Sequence, residues 1–157
     1  MPQKLTLISV GKLKNTPLST ASLPLLKNLK RYTQFNLIET KDVRRSRHKT
    51  NAVSDEAKLI VSAIPKSSYR VALDETGTLR DTKALVKWMT DLERKSVGHL
   101  CFIIGGPDGL DPSILDDVDE SMALSPMTFT HEMARFILIE QLYRVLSFRA
   151  GHPYHRA

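Results

Sequence analysis

A chain of 157 residues, 41% hydrophobic and 25% charged, suits one core of ordinary size and is too apolar for intrinsic disorder. Its single cysteine, Cys101, excludes an internal disulfide and a multi-cysteine zinc site, and no apolar run approaches the roughly 20 residues of a membrane span. The formal net charge of +6 is unevenly placed: residues 1–70 carry +10, and residues 71–130 carry −6.

In chain order, Leu5 to Val10 reads as a buried strand ended by Gly11, too short for the apolar core of a signal peptide and followed at once by Lys12 and Lys14. Leucines at helical spacing predict a helix over Leu18 to Tyr32, with Pro24 as its kink or its true start. Phe35 to Glu39 is a second strand, and the basic run Arg44-Arg45-Ser46-Arg47-His48-Lys49 follows it. Ser54 is placed to cap a helix from Asp55 to Ile64, closed by Pro65. Tyr69 to Leu73 is a third strand, with Asp74-Glu75-Thr76-Gly77 as its turn. Asp81 caps a helix through Arg94 that buries Leu85, Trp88, Met89 and Leu92. His99 to Ile104 is the most apolar strand and runs into Gly105-Gly106-Pro107-Asp108-Gly109. A short helix starts at Pro112, and Ser121 to Ser125 is a short fifth strand. Thr130 caps a long helix from His131 to about Ser147, and an irregular tail runs from Arg149 to Ala157.

Strands alternating with helices predict βαβ units, hence one α/β domain over 1–157 with a mostly parallel sheet and helices on both faces. Ligands of such sheets sit outside the carboxyl ends of the strands, which selects the segments after Leu73, at Gly105-Gly106 and after Leu124. The glycine turn matches neither a dinucleotide fingerprint nor a phosphate-binding lysine loop; it is a structural turn or a site for an adenosine-containing ligand. The last helix is apolar nearly all round, which points to burial on more than one side and so to a homodimer. Its charged pairs, Glu132 with Arg135 and Glu140 with Arg144, also have helical pairing distances. The basic N-terminal half fits a polyanion such as nucleic acid. In the tail His152-Pro153-Tyr154-His155-Arg156, an aromatic ring for stacking stands beside groups that meet phosphate or an anionic base. A metal site of His131, His152 and His155 lacks a supporting carboxylate or thiolate, so no metal is expected.

Phe102-Ile103-Ile104-Gly105-Gly106-Pro107-Asp108-Gly109-Leu110, Ala123-Leu124-Ser125-Pro126-Met127-Thr128-Phe129, the helical set His131, Arg135 and Ile139-Glu140-Gln141-Leu142-Tyr143-Arg144, and the ending His152 to Arg156 together resemble the bacterial large-subunit ribosomal RNA methyltransferase H family. Val10-Gly11-Lys12-Leu13-Lys14 and Ala72-Leu73-Asp74 also fit, so the resemblance spans the chain. Thr130 stands where many relatives carry Pro, and it keeps a good helix cap.

The single cysteine reads as that of a cytoplasmic chain, and the resemblance implies the SPOUT fold, in which the C-terminal segment forms a deep trefoil knot, and a homodimer with S-adenosylmethionine as methyl donor. The implied acceptor is N3 of a pseudouridine in helix 69 of 23S ribosomal RNA, on the assembled ribosome. The donor pocket falls on Leu73, Gly105 and Leu124, Ser125, Pro126, Met127, Thr128 and Phe129, with Asp74, Glu75 and Asp108 favouring the donor's positive charges. The acceptor side falls on Tyr154, His155 and Arg156, with His155 as proton acceptor, and RNA contact on His131, Arg135, Arg144 and His152. Two other readings are a non-catalytic RNA- or ribosome-binding protein of the same fold and a SPOUT methyltransferase directed at transfer RNA.

Overall fold

The computed structural model describes residues 2–12, 16–43 and 52–154, so the basic run 44–49, His155 and Arg156 lie outside the described residues. Its elements are β1 (Lys4–Val10), α1 (Pro17–Leu29), β2 (Gln34–Thr40), α2 (Ala52–Ala63), β3 (Tyr69–Leu79), α3 (Thr82–Arg94), β4 (His99–Ile104), α4 (Pro112–Asp117), β5 (Glu120–Ala123) and α5 (His131–Arg149). The five strands form one parallel sheet in the order β2-β1-β4-β3-β5. Alternating side chains feed two apolar layers. Leu5, Leu7, Phe35, Val71, Leu100 and Phe102 pack under α1, α3 and α5. Ile8, Val10, Ala72, Cys101 and Ile103 pack under α2 and α4. Burial pushes the Cys101 thiol up to about 12, so it stays protonated and unreactive in the folded chain.

Most expected elements are present, and the differences have local causes. The first helix starts at Pro17, because the Thr16 hydroxyl accepts the Ser19 N–H at 3.1 Å and proline suits the first turn. Pro24 is therefore interior, and the Thr20 carbonyl whose helical partner it removes belongs to an exposed residue. The second helix begins at Ala52, which puts Ser54 inside it rather than at its cap. Trp88 is half-buried and packs against the core, its ring centre 6.3 Å from that of Phe102. Its ring N–H donates to Glu120 at 2.8 Å, and the Arg80 guanidinium, paired with the same carboxylate, lies 5.1 Å from the ring centre.

The third strand does not end at Leu73. Leu73 and Thr78 both sit opposite Met122, so the expected turn 74–77 is a bulge inside a longer strand. Gly77 makes this possible: a Cβ there would lie 2.6 Å from the backbone of Ser121 and Met122. The fifth strand is correspondingly short, and Leu124 and Ser125 fall beyond it. The bulge displaces Asp74 and Glu75 from the ladder, toward the carboxyl end of the sheet.

Gly77→Ala is expected to cost about 1–3 kcal/mol in urea unfolding, because the clash is with backbone that has no rotamer to change. Gly98→Ala, with nothing within 4 Å of the added carbon, is expected to change stability by less than about 0.5 kcal/mol.

Candidate functional site

The carboxyl ends of β3, β4 and β5 open onto one cleft of about 870 Å³. Its floor is apolar: Ile104 and Met122 are nearly fully buried at the strand ends, Leu110 closes one side, and Leu73 and Leu124 are partly buried against the core. Of the donor-pocket residues expected from sequence, Leu73, Gly105, Leu124, Ser125, Met127, Thr128 and Phe129 line this cleft. Pro126 is in the same segment but not in the lining. The lining also holds Ile104, Leu110, Met122 and Ala134, which sequence reasoning did not assign to the pocket, although Ile104 and Leu110 flank the glycine turn.

Two loops face each other across the cleft. One is the glycine turn, where Gly109 N–H bonds the Gly106 carbonyl at 3.0 Å and a Cβ on Gly105 would meet the Gly109 carbonyl at 2.9 Å. The other is 124–130, where the Ser125 hydroxyl accepts the Met127 N–H at 3.0 Å and the Thr130 hydroxyl caps α5 through Met133 N–H at 3.2 Å. The bulge of β3 reaches the second loop directly: Thr128 Oγ1 donates to Glu75 Oε2 at 2.9 Å. Asp74, Glu75, Asp108 and Glu132 all contribute to the lining, which gives an apolar pocket with an acidic margin suited to a ligand that is part apolar ring and part cation.

The residues expected to meet RNA do not share one environment. His131 lies at the cleft, in the first turn of α5. Arg135 is buried at 7% exposure, with its guanidinium 3.0 Å from Glu39 and 3.2 Å from the Ser9 hydroxyl. It joins α5 to the carboxyl ends of β1 and β2, which corrects both its RNA-facing assignment and its pairing with Glu132. Arg144 pairs with Glu140 as the helical spacing predicts, at 2.5 Å. His152 is exposed in the tail, where its Nδ1 accepts the Tyr154 N–H at 3.3 Å.

The tail folds back onto α5. His152 N–H to Ser147 at 2.8 Å and Gly151 N–H to Phe148 at 2.9 Å close the helix and reverse the chain. Tyr154 then lies 4.5 Å from the Tyr143 ring and 5.0 Å from the Arg144 guanidinium, and its hydroxyl donates to Glu140 at 3.3 Å. Burial, and then the Glu140 charge, raise the Tyr154 phenol above its ordinary value, so the group is a proton donor rather than a base. The hydrogen bond to Glu140 likewise raises Arg144. Glu140, Tyr143 and Arg144 lie about 9–20 Å along α5 from the cleft-lining turn that holds His131 and Ala134, at 1.5 Å per residue.

Among the described residues, no group of three or more His, Cys, Asp or Glu side chains could hold a metal ion, and no helix is long and apolar enough to cross a membrane.

The sequence profile of the SPOUT methyltransferase family matches residues 3–155. The chain is 36% identical to a ribosomal RNA large subunit methyltransferase H of Halothermothrix orenii, over 98% of this chain and 99% of that one. It is 35% identical to the protein of the same name in Bifidobacterium adolescentis, again over 98% and 99%. Among solved structures, it superposes on the tRNA (m1G37) methyltransferase of Aquifex aeolicus with a TM-score of 0.58 at 15% identity, covering 98% of this chain and 75% of that one. The last likeness is one of fold alone.

Removing the charge at Glu140 is expected to lower the Tyr154 phenol toward the ordinary tyrosine value, because a neighbouring anion is part of what raises it. Ultraviolet titration of the wild type and Glu140→Gln, each against its Tyr154→Phe counterpart, isolates that phenol, and an unchanged midpoint contradicts the coupling.

Proposed function

The chain belongs to the SPOUT methyltransferase family, and from that membership we propose that it transfers a methyl group from S-adenosylmethionine to 23S ribosomal RNA. The acceptor in this reading is N3 of a pseudouridine in helix 69, methylated on the assembled ribosome in the cytoplasm. The observation that carries the proposal is the cleft itself. Three segments far apart in sequence, Leu73 to Glu75, Ile104 to Leu110 and, apart from Pro126, Leu124 to Phe129, line one pocket with apolar walls and an acidic margin.

Those residues fit the donor. Leu73, Leu124 and Phe129 offer apolar surface to an adenine, and the backbone at Gly105 can approach a ligand without a Cβ between. Asp74, Glu75 and Asp108 oppose the positive charges of the sulfonium and amino groups. The bound donor supplies an electrophilic methyl group on a sulfonium. The protein's remaining tasks are to hold the base in line with it, to take the proton from N3 and to stabilise the developing anion. We assign the proton to His155, the anion to Arg156, and orientation of the base to Tyr154, whose raised phenol donates a hydrogen bond. His131, Arg144 and His152 are assigned to RNA.

A homodimer belongs to the same proposal. Met133 and Phe148 on α5 are exposed, and Phe136 and Ile137 are only half-buried, which leaves an apolar face for a second copy. The separation of Tyr154 from the cleft along α5 supports a site completed by the tail of the partner protomer. The deep trefoil knot is proposed from family membership and would hold 124–130 rigidly against the glycine turn.

Ribosomes incubated with the protein and methyl-labelled S-adenosylmethionine are expected to gain a methyl on a helix 69 pseudouridine, and ribosomes lacking that pseudouridine are expected to gain none there. Deleting Tyr154 to Ala157 is expected to slow transfer by about 100-fold or more, the usual share of a general base and its neighbours. Labelled transfer RNA with unlabelled ribosomes indicates the tRNA-directed enzyme, and no transfer to either RNA indicates the non-catalytic binder.

A further inference from the structure

The glycine turn is closed on itself: the Gly106–Gly109 bridge shapes it, and Gly105 packs directly on Gly109. A loop built that way still needs an anchor that sets its height over the sheet. Glu56 of α2 reaches beneath it. Its side chain is in a residue only 1% exposed, and its Oε1 accepts the Gly106 N–H at 3.3 Å across 50 residues of sequence. Ala57 and Ile60 on the same helix belong to the layer formed by Ile103, Leu110 and Ile114.

A buried carboxyl group has a large desolvation cost, so the groups it holds matter, and the Gly106 amide is one of them. In a low-dielectric layer, a backbone N–H bound to a carboxyl oxygen is held more firmly than one bound in water. The amide it holds is next in sequence to Gly105, at the point where the β4 strand end becomes the cleft wall.

We propose that Glu56 is a positioning residue for the donor pocket: through the Gly106 amide it fixes the glycine turn at the height where Gly105 meets the ligand. The inference rests on the donor reading of the cleft. It also makes α2, the helix that directly follows the basic run 44–49, part of the structure that sets donor affinity.

The test compares wild type, Glu56→Ala, Glu56→Gln and Met89→Ala by calorimetric titration with S-adenosylmethionine, by exchange of the Gly106 amide and by thermal midpoint. Met89→Ala empties a buried position on the other face of the sheet and serves as the matched destabilised control. Glu56→Ala is expected to speed Gly106 exchange and to weaken donor binding about tenfold, the loss of a buried hydrogen bond. Glu56→Gln keeps an acceptor oxygen and is expected to retain affinity within about threefold. Met89→Ala is expected to lose stability with affinity held within about twofold, since it is remote from the turn. Unchanged affinity in Glu56→Ala overturns the proposal, as does a loss in Met89→Ala that matches it at equal midpoint. A wild type that takes no donor overturns the donor reading, and the proposal with it. If Glu56→Ala does not fold, Glu56→Gln decides: retained affinity and slow Gly106 exchange support the proposal, and loss of both overturns it.

Discussion

The architecture depends on β4 being buried from both sides. Leu100, Phe102 and Ile104 face one helical layer while Cys101 and Ile103 face the other, and the strand is hydrogen-bonded to β1 and β3 along its length. A strand so enclosed cannot slip register without moving apolar side chains from one layer to the other. Its carboxyl end is consequently a fixed point, and the glycine turn starts there. The β3 bulge and the segment after β5 are then placed relative to that turn, because β3 pairs with β4 and β5 pairs with β3. The cleft is what remains between three strand ends whose positions are set by the sheet.

Charge divides the molecule as well. The basic half of the sequence lies before residue 71, and the acidic residues concentrate in the half that forms the cleft. An acidic margin disfavours phosphate and favours a cationic ligand, so the cleft and the basic segments suit different partners. The C-terminal helix joins the cleft to the tail. Its first turn touches the cleft, its second turn is locked to the sheet through Arg135 and Glu39, and its middle holds Tyr154 against Glu140 and Arg144. The Arg149–Glu93 pair and the bond from Thr82 to Gln141 at 2.9 Å fix the same helix on α3.

What the sequence made legible was local. The apolar run Leu100 to Ile104 announced the central strand, and Asp81 and Thr130 announced helix caps whose side chains accept the Ala84 and Met133 amides as capping geometry requires. The rule that ligands sit at carboxyl strand ends selected three segments that line the cleft together. What escaped was non-local. The β3 bulge depends on how closely Gly77 meets the backbone of β5, which no pattern within 74–77 encodes. Arg135 had a partner at helical spacing, yet its guanidinium lies on Glu39, 96 residues earlier. Glu56 carried no signal in the sequence, and only the folded chain shows it beneath Gly106. Pro24 drew attention from the true helix start, which the Thr16-Pro17 pair marks.

The proposed function puts the methyl donor in the cleft at the ends of β3, β4 and β5, and a crystal structure of the protein with S-adenosylhomocysteine checks it. The adenine is expected between the glycine turn and the 124–129 segment, with the amino-acid end toward the acidic margin of Asp74, Glu75 and Asp108. Ligand density elsewhere on the chain, or a cleft that stays empty at saturating ligand, would contradict it.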